Sequence, residues 1–325
     1  MTHPYERLTP DLILDAVAST GMVPDGHLLT LNSYENRVFQ VGMDDQPPMV
    51  AKFYRPQRWS DAAIIEEHRF ATELAADEIP VVAPWQRGDG VTLFHHEGFR
   101  FALFPRRGGR APEAGDLDQL EWIGRFIGRI HLAGQARLFE HRPRLDVADM
   151  GWTAREQVLQ SPLLPAHEQA GYAEVSTRLL EAIEQAFRHT APRALRLHGD
   201  CHHGNILWTD EGPHFVDLDD CRNGPAVQDL WMLLHGDRGE RTIQLSAMLE
   251  GYEMFHDFDR RELALIEPLR GLRILHFSGW LARRWSDPAF PAAFPWAESA
   301  HYWSQHVADL EHQWEELHQP PLVLY

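Results

Sequence analysis

The sequence predicts an α+β protein of two lobes, in which a small antiparallel sheet with one helix precedes a longer, mainly helical part. Short apolar runs separated by turn residues fill residues 27–104. From residue 116 onward, the apolar residues instead follow a helical spacing. At 325 residues the chain is long enough for two lobes, which we place at residues 1–104 and 105–325 with a hinge near residues 102–110.

Five segments of the first lobe are predicted strands. The first three are residues 28–31, 38–41 and 49–54, and a polar turn at residues 44–48 joins the second to the third. Residues 91–94 and 99–104 are the other two. The run P-R-R-G-G-R at residues 105–110 then ends regular structure, so it is expected to connect the lobes.

A helix is predicted between the third and fourth strands, over residues 62–76, with Ser60 or Asp61 as its cap. Its apolar stripe consists of Ile64, Ala71 and Leu74. Glu67 lies on this stripe, whereas the other acids of the helix do not. Because a carboxylate on a buried face needs a partner, Glu67 is expected to contact a cation.

The second lobe is predicted to begin with an amphipathic helix from Asp116, and a short stranded stretch at residues 195–216 interrupts the helical pattern. Six aromatic residues near the end of the chain are expected to form a core between helices rather than a binding groove. They are Trp280, Trp285, Trp296, Tyr302, Trp303 and Trp314.

Composition and charge exclude several classes of protein. Hydrophobic residues make up 44% and charged residues 24%, which indicates a globular chain. The net charge of −18 argues against sequence-independent binding to nucleic acid or anionic membranes. The first residues lack the apolar core of a signal peptide, and no apolar run approaches the roughly 20 residues of a membrane helix. We expect a cytoplasmic monomer without nucleic-acid or membrane partners.

The two cysteines, Cys201 and Cys221, are too few for a disulfide framework and lack the spacing of a zinc site. Cys201 directly follows Asp200, so its oxidation would crowd that carboxylate. Nearby acids raise the pKa of a thiol, however. We therefore favour an unreactive thiol, with a redox switch at Cys201 as the alternative hypothesis.

The segment with the most chemical content is H-G-D-C-H-H-G-N at residues 198–205, followed by Asp217. Phosphoryl transfer requires a carboxylate that orients the attacking hydroxyl and accepts its proton, with metal ions that neutralise phosphate charge. The offsets of His198, Asp200 and Asn205 equal those of the protein-kinase loop H-R-D-x-x-x-x-N, and Asp217 takes the place of the acid in D-F-G. We predict Asp200 as the catalytic base, Asp217 as a second catalytic residue, and Asn205 and Asp217 as Mg²⁺ ligands.

A transition-metal hydrolase is the alternative interpretation of this segment, because His and Asp side chains are common ligands of such metals. That alternative leaves Asn205 and Asp217 unexplained and lacks a second ligand cluster elsewhere in the sequence. His198 is instead expected to brace the loop.

Three later acids receive structural rather than catalytic predictions. Asp219 and Asp220 are expected to form a solvated turn, because only one acid is needed there; the alternative is that one of them assists the metal. Asp229, near the start of a short helix, is expected to cap or brace the catalytic loop.

Lys52 supplies a second part of a nucleotide site. It lies in the predicted strand V-A-K and resembles the kinase strand lysine that holds the α- and β-phosphates of the nucleotide and pairs with a helix glutamate. Glu67 is its expected partner. The loop at residues 32–37, where a kinase covers the phosphates, contains no glycine, so Ser33 and neighbouring amides are expected to contact the nucleotide.

These residues carry a family resemblance. The chain resembles the aminoglycoside-phosphotransferase and choline-kinase branch of the protein-kinase-like fold, whose signature H-G-D-x-H-x-x-N matches residues 198–205. Residues 31–38, 197–208 and 215–231 are more narrowly similar to a group of bacterial stress-response kinases. The resemblance implies a bilobal kinase with a cleft for ATP near residues 102–106, Mg²⁺ as cofactor and Ser33 at the phosphates. It also implies that the acceptors are serine or threonine hydroxyls of proteins. The physiological role that it implies is protection from stress-induced cell death.

The acceptor stays open at the level of residues. Small-molecule kinases of the same superfamily use the same transfer apparatus, and an acid-rich cleft would suit a cationic acceptor. A catalytically weak nucleotide-binding adaptor is a further alternative, because the loop at residues 32–37 lacks glycine. The presence of Lys52, Asp200, Asn205 and Asp217 together favours an enzyme.

Overall fold

The computed structural model describes residues 4–324 of the chain. The strands in that range are β1 (Pro24–Leu31), β2 (Arg37–Met43), β3 (Gln46–Phe53), β4 (Phe94–His96), β5 (Phe99–Pro105), β6 (Leu195–Leu197), β7 (Ile206–Thr209), β8 (Gly212–Phe215) and β9 (Arg222–Gly224). The α-helices are α1 (Pro10–Ala18), α2 (Asp61–Ala76), α3 (Leu117–Gly134), α4 (Ala154–Leu159), α5 (Gln169–Thr190), α6 (Gln228–Trp231), α7 (Arg238–Tyr252), α8 (Ile266–Arg284), α9 (Ala289–Ala293) and α10 (Ala300–Leu317).

The first lobe is built on one antiparallel sheet with the strand order β1-β2-β3-β5-β4. Lys52 lies opposite Val38 of β2 and Ala102 of β5, in the middle of the sheet. The predicted α+β architecture, with an antiparallel sheet before a helical part, is confirmed. One face of the sheet packs on α1, which is absent from the sequence prediction although Thr9 caps it and Pro10 begins it.

The predicted strand at residues 91–94 is wrong in position, because the fourth strand is Phe94–His96. Glu97 and Gly98 have positive φ angles of 47° and 83°, and this tight turn fixes the pairing of β4 with β5. Leu93 is buried beside Ile64 of α2. Leu93 is thus apolar because it packs under α2, and Val91 packs against the core of the sheet, so neither pattern reflects strand pairing.

Helix α2 matches the predicted helix closely. The Ser60 hydroxyl accepts a hydrogen bond from the Ala63 amide at 3.1 Å and caps it. Ile64, Ala71 and Leu74 are buried, as their spacing predicts, and Glu67 is buried with them. The helix therefore carries one carboxylate into the interior next to the sheet.

Helices surround the second core, and two antiparallel strand pairs, β6–β9 and the hairpin β7–β8, place residues 198–220 at the edge of that core. Of the predicted aromatic core, Trp303 is fully buried, whereas Trp296 is 42% exposed. No helix within residues 4–324 is long and apolar enough to span a membrane.

Helices α3 and α7 approach each other closely at glycine residues. A Cβ atom on Gly128 would lie 2.5 Å from the Tyr252 carbonyl oxygen, a distance that requires backbone movement. Gly128→Ala is therefore expected to lower the free energy of unfolding by about 1–3 kcal/mol, measured by urea denaturation.

The matched control is Gly171→Ala in α5, where the nearest side-chain atom lies 3.8 Å away. That variant should be neutral or more stable by up to about 1 kcal/mol. Equal stability of the two variants would contradict the close approach of α3 and α7.

Candidate active site

Asp229 holds the backbone of the loop at residues 198–205 in place. Its buried carboxylate accepts hydrogen bonds from the His198 and Gly199 amides at 2.7 and 2.8 Å, and the His131 ring lies 3.1 Å away. The His198 ring contacts the Val216 carbonyl oxygen at 2.9 Å. Both predicted structural roles are confirmed: Asp229 braces the loop, and His198 ties it to the segment that carries Asp217.

Asp200 lies beside the cleft, next to the side chains of Arg273 and His202. Its Oδ1 accepts a hydrogen bond from Arg273 Nη1 at 2.6 Å, and His202 Nε2 lies 3.5 Å from Oδ2. Burial alone would raise the pKa of Asp200, but the contacts with His202 and Arg273 hold this pKa below its usual value. The carboxylate is therefore ionised at neutral pH and can accept a proton.

Asn205 and Asp217 present oxygen atoms to the same cleft. The Asn205 Nδ2 donates to the Asp200 carbonyl oxygen at 3.0 Å, which leaves the amide oxygen as its ligand atom. Asp217 adopts a left-handed backbone conformation with φ of 59°, and its side chain is 55% exposed. One amide and one carboxylate oxygen fit Mg²⁺, which takes few protein ligands and keeps several waters.

The donor set does not fit the alternative transition-metal site. Across residues 4–324 the structure places no group of three or more His, Cys, Asp or Glu side chains to hold a metal ion. His202 instead hydrogen-bonds the Gly204 amide through Nδ1 at 3.0 Å. The hydrolase interpretation therefore loses the ligand cluster on which it depended.

Lys52 reaches three carboxylates from the middle of β3. Its Nζ lies 2.8 Å from Asp217, 3.3 Å from Asp219 and 3.8 Å from Glu67. Burial would lower the pKa of Lys52, but these carboxylates raise it well above its usual value. Burial raises the pKa of Glu67 to about 7, so Asp217 and Asp219 keep Lys52 charged whichever state Glu67 takes. The predicted contact between Lys52 and Glu67 is present.

The prediction that Asp219 lies in a solvated turn is wrong. Asp219 is 3% exposed, and besides Lys52 it contacts Arg58 and accepts a hydrogen bond from Asn36 Nδ2 at 3.0 Å. Asp220 pairs with Arg58 at 2.8 Å. The acids following Asp217 thus belong to a buried charge network that joins the two lobes.

Two arginines complete this network, and sequence reasoning missed both. Arg58 pairs with Asp219 and Asp220, and Arg142 lies 3.6 Å from Glu67 and donates to the Cys221 carbonyl oxygen at 3.0 Å. Each contact joins residues more than 70 positions apart in the chain. No local pattern in the sequence marks either arginine, so only the fold identifies them.

The cleft between the lobes has a volume of about 390 Å³ and is lined from both sides. Ser33 of the glycine-free loop and Lys52 contribute from the first lobe, and Asn205 and Asp217 contribute from the second. Phe104, at the end of β5, forms part of the wall where the hinge is predicted. The structure therefore brings five of the predicted site residues to one cleft (Ser33, Lys52, Glu67, Asn205 and Asp217), with Asp200 beside it.

Side chains outside the loop hold the glycine-free loop in place. Glu35 pairs with Arg284 and accepts a hydrogen bond from Trp280 Nε1 at 2.7 Å. Both partners come from α8 of the second lobe. Tyr34 also packs on Phe294 with ring centroids 4.8 Å apart. The loop is thus fixed by contacts across the cleft rather than by the backbone freedom of glycine.

Comparison with known proteins agrees with this geometry. Residues 27–266 match the model of the phosphotransferase enzyme family. The chain is 47% identical to the Serine/threonine protein kinase RdoA of Salmonella typhimurium, over 98% of this chain and 97% of that protein. It is 48% identical to the Stress response kinase A of Escherichia coli K12 over the same shares of the two chains.

The fold also resembles that of an amicoumacin kinase solved in complex with AMP-PNP, Ca²⁺ and Ami. The TM-score is 0.71 at 18% sequence identity, over 95% of this chain and 94% of that one. At that identity, the likeness shows a shared kinase-like fold.

Both cysteines are expected to be inert in the folded protein. Cys201 and Cys221 are free and fully buried, and burial raises the pKa of the Cys201 thiol well above its usual value. A maleimide reagent at neutral pH should label neither thiol in the native protein and both in urea. Rapid labelling of native Cys201 would contradict the prediction.

The loop contacts of Glu35 give a second prediction. Glu35→Gln removes the charge from a carboxylate that lies near Arg284, Arg58 and Arg55, and breaking a partly buried ion pair costs about 3 kcal/mol. We expect lower stability in urea and about 10-fold weaker binding of nucleotide by calorimetry.

Glu253→Gln is the control, because its ion pair with Arg260 is exposed and should be worth less than about 1 kcal/mol. If Glu35→Gln binds nucleotide as tightly as the control, the loop does not depend on α8.

Proposed function

The chain belongs to the phosphotransferase enzyme family and is a kinase, and we propose that it transfers the γ-phosphoryl group of ATP, with Mg²⁺, to serine and threonine hydroxyls of proteins. The observation that carries this proposal is the meeting of Lys52 and Asp217 across the cleft, at 2.8 Å, beside Asp200 and Asn205. A strand lysine, a carboxylate that can hold a metal and a base–amide pair are the parts that phosphoryl transfer requires.

Each site residue has a separate proposed role that follows from its position in the cleft. Lys52 is buried but faces the cleft, where its fixed charge can hold nucleotide phosphates. Asn205 and Asp217 would hold Mg²⁺, which supplies neutralisation of the developing phosphate charge when bound. Asp200 lies where it can orient the acceptor hydroxyl and take its proton, because its carboxylate is ionised and partly accessible. Ser33 lines the cleft on the side of the covering loop.

A protein acceptor is favoured over a small molecule by the relatives. The Salmonella relative, at 47% identity over nearly the whole of both chains, is named a serine/threonine protein kinase. The amicoumacin kinase is 18% identical, which supports the fold but not its acceptor. The name of the Escherichia coli relative, Stress response kinase A, also supports a role in stress response.

We further propose that the enzyme works in the cytoplasm as a single chain. Both cysteines are free, which fits a reducing compartment. Ser33, Lys52, Asn205 and Asp217 of one chain line the same cleft, which supports a site built within a single chain.

The proposal is tested with γ-labelled ATP, Mg²⁺, a peptide library containing serine or threonine, and a panel of small amines and sugars. Labelled phosphoserine or phosphothreonine is expected. Asp200→Asn should lower the rate about 10²–10⁴-fold through loss of the base, and Asp217→Ala should lower it at least as much because the site loses its carboxylate ligand.

Asp210→Asn serves as the control, because Asp210 is an exposed acid on the neighbouring β7–β8 turn and should leave the rate unchanged. Transfer to a small molecule but to no peptide would overturn the protein-kinase proposal. Binding of ATP without transfer to any acceptor would favour a nucleotide-binding adaptor instead.

A further inference from the structure

One face of α8 runs along the open side of the cleft, from the catalytic loop to the loop at residues 32–37. Arg273, Phe277, Trp280 and Arg284 are spaced along that face at helical intervals. Arg273 contacts Asp200 at one end, and Trp280 and Arg284 contact Glu35 at the other. An acceptor whose hydroxyl reaches Asp200 therefore lies beside Arg273.

Arg273 has hydrogen-bonding capacity left over in this position. A guanidinium group carries five N–H donors, and within residues 4–324 the carboxylate of Asp200 is its one ion-pair partner. Its side chain is 39% exposed, so several donors are accessible from the acceptor side. The planar fork of arginine suits a second carboxylate or a phosphate.

Asp219 and Asp220, the acids that follow Asp217, already have cations of their own. Asp220 pairs with Arg58 at 2.8 Å and with Arg222 at 3.0 Å. Asp219 is buried against Lys52 and Arg58. Arg283, a second cation of α8, interacts with Arg284, Glu35 and Asp149 at the other end of the helix. The accessible donors of Arg273 are thus open to an acidic group of the acceptor, although the chain carries a net charge of −18.

We propose, on the basis of the protein-kinase function above, that the acceptor is a serine or threonine within two residues of an Asp or Glu, and that Arg273 binds that acidic side chain. Arg273 Nη1 lies 2.6 Å from the Asp200 carboxylate, which in this proposal takes the proton of the acceptor hydroxyl. Successive residues of an extended peptide are about 3.3–3.6 Å apart, so a side chain one or two positions away reaches the free guanidinium donors. Arg273 is a specificity-determining residue in this proposal.

The same geometry disfavours a cationic acceptor. An ammonium group beside Arg273 would meet a like charge in a partly desolvated position. The position of Arg273 beside Asp200 therefore favours an acidic acceptor over a cationic one. Phe277, 36% exposed next to Arg273 on the same face, adds apolar surface for the rest of a peptide.

The test uses full-length protein, γ-labelled ATP and peptides with one central serine. One position at a time, from two residues before to two residues after the serine, is fixed as Asp, Gln or Lys. The wild-type protein is expected to favour Asp over Gln by about 10-fold in kcat/KM at one or more of these positions, the effect of a charge-assisted hydrogen bond. Lys peptides should be the poorest.

Arg273→Gln should reduce the Asp-to-Gln preference to about 1, mainly through a higher KM for Asp peptides, and Arg273→Lys should restore part of it. Arg260→Gln, an exposed arginine paired with Glu253, should keep the full preference. A purely structural role for Arg273 would instead lower the rates with all peptides equally.

Two outcomes are separable. If the protein phosphorylates the peptides without preferring Asp, or if Arg273→Gln keeps the preference, the role of Arg273 is overturned while the protein-kinase function stands. If no peptide is phosphorylated but a small molecule is, the protein-kinase function fails and this inference fails with it.

Discussion

The burial of the Lys52 ammonium group is the constraint on which the rest of the site depends. Its side chain is 8% exposed, and an unpaired charge in that position would be strongly destabilising. Three carboxylates offset the cost, one from α2 and two from residues 217–219. Lys52 belongs to the sheet and Asp217 to the helical lobe. The ion pair that stabilises the ammonium group therefore also holds the two lobes together.

This constraint extends outward through the arginines. Arg58 reaches Asp219 and Asp220 from the segment before α2, and Arg142 reaches Glu67 from the second lobe. The ion pair between Glu35 and Arg284 then joins the loop at residues 32–37 to α8. Because side chains fix the loop in this way, the backbone flexibility that glycine gives other phosphate-covering loops is not required here. The loop at residues 32–37, the charges around Lys52 and the C-terminal end of α8 therefore form one connected network.

The sequence predicts the parts of the site that follow from local spacing. Glu67 was identifiable because helical periodicity places it on a buried face, and Asp200 and Asn205 because their offsets are those of a kinase loop. Asp219 was misjudged because its burial results from contacts with Lys52 and Arg58, which lie more than 160 positions earlier in the chain. Arg273, Arg142 and Glu35 have no local signal for the same reason. The prediction of a strand at residues 91–94 is wrong because burial against neighbouring elements and strand pairing give the same apolar pattern.

The burial of Asp219 also clarifies how Lys52 and Asp217 can work together. Of the three carboxylates around Lys52, only Asp217 is substantially exposed, at 55%, whereas Asp219 and Glu67 are enclosed. Asp217 is therefore the one that can turn toward a cation in the cleft without exposing buried charge. Asp219 and Glu67 still surround Lys52 in that case, so the ammonium group keeps its position and its charge. A second buried acid, rather than a solvated one, would let Lys52 both join the two lobes and, in the proposed function, bind the nucleotide phosphates.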